Sequence, residues 1–192
     1  MIEPDLDGSV IDACRAGDRT AFRILFEAYK DRVYSMALHF CGNEATATDI
    51  TQQVFLKVLS GISQFRRDAE LTTWLYRIVA NTCVDEHRSR RKLVPLSEGI
   101  EVRNLAAYRN EEERIYRRQI AASVKEAIAG LRPKLRLPIL LRYVEGLSYD
   151  EIARVLDCSK GTVASRLNRG HKALAAKLGH LAGAMDLGVR DV

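Results

Sequence analysis

The chain has 192 residues, of which 47% are hydrophobic and 29% charged, and it carries a net charge of +5. Such a composition can bury the core of one or two domains and excludes a wholly disordered chain. No apolar run approaches the ~18 residues of a membrane span, and the acidic start MIEPDLDGSV lacks the apolar segment of a secretory signal. The expectation is a cytoplasmic protein with no membrane insertion.

In chain order, Val10 to Ala16 reads as a short helix ended by Gly17. Asp18 or Thr20 caps the next. There Phe22, Leu25, Phe26, Tyr29, Val33, Met36, Ala37 and Phe40 recur at steps of three and four, the period of an amphipathic helix. Cys41-Gly42-Asn43 breaks it. Ala45 to Leu59 forms another helix. Ile50, Val54, Phe55 and Val58 line one face of it, and Asp49, Gln52, Gln53 and Lys57 much of the rest. Gly61 to Glu70 is expected to be a loop that holds an isolated aromatic, Phe65, beside Arg66 and Arg67.

Thr72 or Thr73 starts a helix that runs to about Arg91. Trp74, Leu75, Ile78, Val79 and Val84 form its apolar side. Arg77, Asn81, Asp85 and Arg88 repeat at four and three residues as one polar stripe, in which Asp85 has Arg88 or Arg77 as a helical ion-pair partner. The basic end Arg88, Arg90, Arg91, Lys92 is favoured at a helix C-terminus with or without a ligand. Leu93 to Arg109 shows no period and contains Pro95 and Gly99. Together with the acidic run Glu111-Glu112-Glu113 it reads as a linker over residues 93–113. Ile115 to Leu131 is helical again, with Ile120, Val124, Ile128 and Leu131 on one stripe. Pro133 fits a first turn, and Pro138 requires a late start or a kink.

Gly146 to Leu174 has the pattern of a helix-turn-helix. Ser148 and Glu151 make a capping box. Ile152, Ala153 and Leu156 fall on one face, and Ala153 is the small side chain over which two helices can cross. Asp157-Cys158 makes the turn, and Ser159 caps the second helix. Val163, Leu167 and Leu174 face inward; Thr162, Ser165, Arg166 and Arg169 face outward. Beyond Leu178 the tail is rich in Gly and Ala and is expected to fray. Such a hairpin is also a common packing unit, so taken alone it is an incomplete argument for DNA.

No strand pattern occurs. The expected fold is all-α: two small helical domains over residues 1–92 and 114–180, a linker at 93–113 and a tail at 181–192. Residues 61–92 hold 7 basic and 4 acidic side chains, and residues 114–192 hold 15 and 7. Residues 93–113 between them hold 2 and 5. Two basic zones separated by an acidic strip suggest two separate contacts with a polyanion. Cys14, Cys41, Cys83 and Cys158 are far apart with no C-x-x-C, which argues against zinc. No H-E-x-x-H, Gly-rich phosphate loop or paired-carboxylate signature is present, and the four histidines are scattered. Neither a catalytic site, nor a metal, nor a cofactor is expected.

These residues together resemble one family. TDITQQVFLKVL and FRRDAELTTWLYRIVANTCVDEHRSRRK are similar to region 2 of bacterial sigma factors of the extracytoplasmic-function (ECF) group. LRPKLRLPILLRYVEGLSYDEIARVLDCSKGTVASRLNRGHKAL is similar to their region 4. The resemblance implies a non-enzymatic subunit that binds core RNA polymerase, through the β′ clamp helices and the β flap, and directs promoter-specific initiation under an anti-sigma factor. It places Asp49, Gln52 and Gln53 on the polymerase side. It assigns Phe65, Arg66, Arg67, Arg77, Asn81 and Arg88 to minus-ten DNA. It assigns Thr162, Ser165, Arg166 and Arg169 to the minus-thirty-five element, with Lys160 and Lys172 on phosphates. Phe65 keeps two readings: an aromatic on which an unpaired base stacks, or a pin that holds its loop to the core. Trp74 invites a role in melting, but its place on the apolar side of its helix favours core packing. An autonomous helix-turn-helix regulator is the alternative, and it leaves Asp49 to Lys92 without a role.

Overall fold

The structure is a computed structural model that describes residues 6–65, 70–93 and 111–186. Among the described residues there are eight α-helices and no strand. They are α1 (Gly8–Arg15), α2 (Arg19–Cys41), α3 (Glu44–Gly61), α4 (Leu71–Leu93), α5 (Glu111–Ala129), α6 (Pro133–Tyr143), α7 (Tyr149–Val155) and α8 (Lys160–Asp186), with a single 3-10 turn at Ile62–Gln64. The chain divides into two compact units; α1–α4 lie in the first, and α5, α6 and α8 in the second.

Helix boundaries in the first unit follow from local chemistry. The Asp18 carboxylate accepts from the backbone N–H of Thr20 at 2.7 Å and of Ala21 at 3.3 Å, satisfying two orphan donors of α2. Gly42 ends α2 in the left-handed region at φ 73°, and Asn43 then caps α3 through the Thr46 N–H at 3.0 Å. Leu25, Tyr29, Val33, Met36, Ala37 and Phe40 of α2 are all buried. Against this stripe pack α1, α3 and α4. Ile50, Val54, Phe55 and Val58 face it from α3, and Leu75, Tyr76, Val79, Ala80 and Cys83 from α4. Phe55 and Phe26 meet edge to face with centroids 4.7 Å apart, so Phe55 belongs to the core. The Cys14 thiol is buried, and that burial, with Asp18 nearby, pushes its pKa up and keeps it a poor nucleophile.

In the second unit α6 packs on α8, and α5 on α8. Pro133 occupies the first turn of α6, and Pro138 lies inside that helix, buried. The missing N–H of Pro138 leaves the Lys134 carbonyl without its intrahelical donor, the site at which a kink is expected. Arg136 is buried and donates to the Leu131 carbonyl at 2.7 Å and to the Ala129 carbonyl. A guanidinium from α6 thereby satisfies the orphan carbonyls at the end of α5.

Several boundaries differ from the sequence reading. α3 runs on to Gly61 and continues as the 3-10 turn, so the irregular segment begins at Phe65. The acidic run at 111–113 lies in the first turn of α5, where carboxylates are favoured by the helix dipole; residues 94–110 of the expected linker lie outside the described residues. α8 continues past Leu178 to Asp186. A close approach that the sequence reading did not name joins α6 and α8 at Gly170. A Cβ there would stand 3.1 Å from Ile139 Cγ1 and 3.6 Å from the Leu135 carbonyl oxygen. Ala153 of α7 is half-buried.

Gly170→Leu should therefore destabilise the second unit by ~1–3 kcal/mol through overpacking. The chain has one tryptophan, Trp74 in the first unit. In urea unfolding, the far-UV dichroism transition should move to lower denaturant while the Trp74 fluorescence transition stays in place.

Candidate nucleic-acid interface

Burying one stripe of α3 leaves the opposite face in water. Asp49, Gln52, Gln53 and Leu56 are all exposed there, and Leu56 and Leu59 are 59% and 53% exposed. An apolar pair beside amides and a carboxylate is a composition suited to a protein partner. On α4 the predicted stripe is formed as expected: Arg77, Asn81, Asp85 and Arg88 are all exposed along one side. Asp85 pairs differently from the sequence reading. Its carboxylate lies 3.9 Å from Lys57 Nζ of α3, which also donates to the Thr82 hydroxyl at 3.0 Å. The two helices lie side by side, so a lysine reaches across from α3 to a carboxylate on α4. Thr82, fully buried, in turn donates to the Ile78 carbonyl at 2.8 Å. A sequence separation of 25 residues gives no local signal for this bridge.

Phe65 is 5% exposed, with its ring centroid 5.3 Å from that of Trp74. Trp74 is half-buried over Gly61, where a Cβ would meet its ring at 3.3 Å. In this arrangement Phe65 pins the end of the 3-10 turn and offers no open face to a base. Arg66 and Arg67 lie outside the described residues.

The helix-turn-helix is built as its sequence indicates. The Ser148 N–H donates to Glu151 Oε2 at 2.6 Å, and the Glu151 N–H to Ser148 Oγ at 3.3 Å, the reciprocal pair of a capping box. Asp157 has φ 49°, the one described non-glycine residue in the left-handed region. An aspartate tolerates that conformation better than most residues, so the turn closes without a glycine. Ser159 Oγ then accepts from the Thr162 N–H at 3.2 Å to start α8. Ile152 and Val163 are fully buried, and Leu167 is 1% exposed, so the two helices share one core.

The outward side of α8 carries Ser165, Arg169 and Lys172, all exposed and spaced at four and three residues; Thr162 is half-buried on the same side. Arg169 Nη2 donates to Ser165 Oγ at 2.9 Å. Arg166 sits at the edge of this face, half-buried, with Nη1 3.8 Å from Cys158 Sγ. Lys160 is exposed but tied to Asp150 at 2.8 Å. Two contacts behind this face were not legible from sequence. Tyr143, 64% exposed at the end of α6, hydrogen-bonds His171 Nε2 at 2.9 Å with the rings 5.5 Å apart. Arg142 holds the Leu147 carbonyl at 2.9 Å and lies over the Tyr149 ring, fixing the entry to the motif. Among the described residues no three His, Cys, Asp or Glu side chains gather as a metal would require, and no helix is long and apolar enough to cross a membrane.

The comparisons with known proteins agree with this geometry. The Sigma-70 region 2 family matches residues 25–93, which span α3 and α4 with most of α2. The Sigma-70, region 4 family matches residues 121–174, which include the whole helix-turn-helix. The chain is 32% identical over 184 residues to the RNA polymerase sigma-H factor of Pseudomonas aeruginosa, covering 91% of this chain and 94% of that protein. It is 32% identical over 186 residues to the ECF RNA polymerase sigma-E factor of Escherichia coli (strain K12), covering 93% and 97%. In fold it is similar to CnrH, solved in complex with the cytosolic domain of CnrY, with a TM-score of 0.67 at 23% identity over 90% of this chain and 96% of that one. It is similar also to the sigma factor RpoE of Bartonella quintana, solved with the anti-sigma factor NepR, with a TM-score of 0.66 at 21% identity over 82% and 96%. Two family matches in the right order, and relatives matched nearly end to end, establish that the chain belongs to the ECF group of sigma-70 factors, the subunits that bind core RNA polymerase and direct promoter-specific initiation of transcription.

Proposed function

We propose a division of that activity among three surfaces. The face of α3 with Asp49, Gln52, Gln53 and Leu56 docks on core polymerase. The stripe Arg77, Asn81 and Arg88 on α4 holds the minus-ten strand as single-stranded DNA, a role shared by Arg66 and Arg67. The outward side of α8 reads the minus-thirty-five duplex through Thr162, Ser165, Arg166 and Arg169, with Lys160 and Lys172 on phosphates. The observation that carries this reading is the pair of exposed polar faces on the adjacent helices α3 and α4. A self-sufficient DNA-binding regulator has no use for them. Phe65 enters as the pin of the minus-ten loop, in line with its burial against Trp74. The chain is read as a non-enzymatic, cytoplasmic initiation factor, since it acts with the polymerase. Control by an anti-sigma factor belongs to the same proposal, supported by the RpoE structure, solved with its anti-sigma factor.

Lys160 shows how charge enters. Its ammonium is held by Asp150 at 2.8 Å, so a phosphate contact must displace a carboxylate. The exposed pair is weak and is easily exchanged.

Arg169→Ala should weaken upstream-element recognition by the holoenzyme by ~1–3 kcal/mol and leave core binding unchanged. Asp49→Ala combined with Gln52→Ala should do the reverse. Promoter binding titrations with reconstituted holoenzyme, beside a direct core-binding assay, separate the two; loss of core binding on Arg169→Ala contradicts the assignment. Asp150→Asn frees Lys160 and removes a negative charge from the DNA side. It should tighten duplex binding and steepen the slope of log affinity against log salt by ~0.9. An unchanged slope would show that Lys160 does not meet the backbone.

A further inference from the structure

The outward face of α8 holds one polar side chain that the foregoing assignment leaves unused. Asn168 is exposed, three residues after Ser165 and four before Lys172. Its surroundings differ from those of its neighbours. Thr162 Oγ1 is 2.9 Å from Ser159 Oγ, Arg169 donates to Ser165, Arg166 lies on Cys158 and Lys160 is held by Asp150. Among the described residues the side-chain amide of Asn168 makes no hydrogen bond. A carboxamide in that state offers a donor and an acceptor side by side, with no internal contact to break on binding.

The flank of the helix around Asn168 is small. Gly161 and Ala164, seven and four residues earlier, are exposed on the same line, and nothing but Ser159 Oγ at 3.9 Å stands before a Cβ at Gly161. A short amide reaches a base edge only if the helix axis comes close to it, and small neighbours permit that approach.

We propose that Asn168 is a specificity-determining residue that reads an adenine in the major groove of the upstream duplex. Adenine presents N7 as acceptor beside N6–H as donor, the complement of a carboxamide, whereas guanine presents two acceptors to a residue with one donor group. The inference rests on the assignment of α8 as the upstream reader and adds the base class recognised at one position.

The test uses holoenzyme reconstituted from the full chain and core polymerase. Its probes are promoter duplexes in which each base pair of the upstream element is substituted singly. Asn168→Ala is compared with wild type, Arg169→Ala and Lys172→Ala. Alanine is a better helix former than asparagine at an exposed site, so α8 is retained. Wild type should lose about tenfold or more in affinity when one A·T pair is changed. Asn168→Ala should flatten that single penalty to about twofold, keep the penalties elsewhere and keep the salt slope of wild type. Full retention of every penalty in Asn168→Ala overturns the proposal. So does a uniform loss with a shallower salt slope, which marks a phosphate contact. Relaxation by Arg169→Ala alone sinks the role of Asn168 and leaves the α8 assignment standing. A wild-type holoenzyme indifferent to every base of the element sinks both.

Discussion

The buried stripe of α2 is the constraint on which the first unit depends. Leu25, Tyr29, Val33, Met36, Ala37 and Phe40 are each at most 2% exposed, and α1, α3 and α4 all pack on that helix. Full burial of one such large side chain contributes ~1.5–3 kcal/mol. The rotations of α3 and α4 about their axes are therefore fixed by where Ile50, Val54, Leu75 and Val79 must go. What remains outside is fixed as a consequence. Asp49, Gln52 and Gln53 face water from α3, and Arg77, Asn81 and Arg88 from α4. Lys57 bridges the two helices to Thr82 and Asp85 and marks the seam between the two faces. The exposed polar faces are the complement of the core, and those of α3 and α4 stand on helices.

The second unit solves a different problem, the presentation of a long helix at a set angle. Its solution lies at helix ends. Ser148 and Glu151 close the start of α7, Asp157 turns the chain, and Ser159 opens α8. Gly170 lets α8 approach Ile139 and Leu135 of α6. Arg136 completes the end of α5 from α6. The caps satisfy backbone groups that water would otherwise hold, while Gly170 removes the Cβ that would crowd Ile139. The result is a helix whose inner side is tied down at Val163, Leu167 and Gly170 while its outer side is left to solvent.

Much of this was legible in the residues, for identifiable reasons. Amphipathic period, capping boxes and breaker residues are local, and the helices of both units follow them, with the turn at Asp157 as expected. The polar stripe on α4 was legible because a four-three repeat needs only one helix. Contacts between helices were not. The Lys57–Asp85 bridge, the Tyr143–His171 pair and the cap from Arg136 join residues whose proximity is created by packing. The close approach of α8 to α6 at Gly170 was not legible either, because sequence does not say which face of α8 meets α6. Phe65 is instructive in another way. Its isolation in a polar segment left two readings, a ring open to a base or a pin for its loop, and the nearest apolar surface, Trp74 on the next helix, covers it.

On the proposed division of surfaces, this chain recognises promoters only as a subunit of RNA polymerase. Run-off transcription on a library of genomic fragments tests it most directly, with core polymerase alone, with the chain alone and with both. Defined start sites are expected only in the combined reaction, each preceded by a shared pair of upstream elements, with no tight sequence-specific duplex binding by the free chain. Specific, tight binding by the free chain, with no new start sites when core polymerase is added, would contradict it.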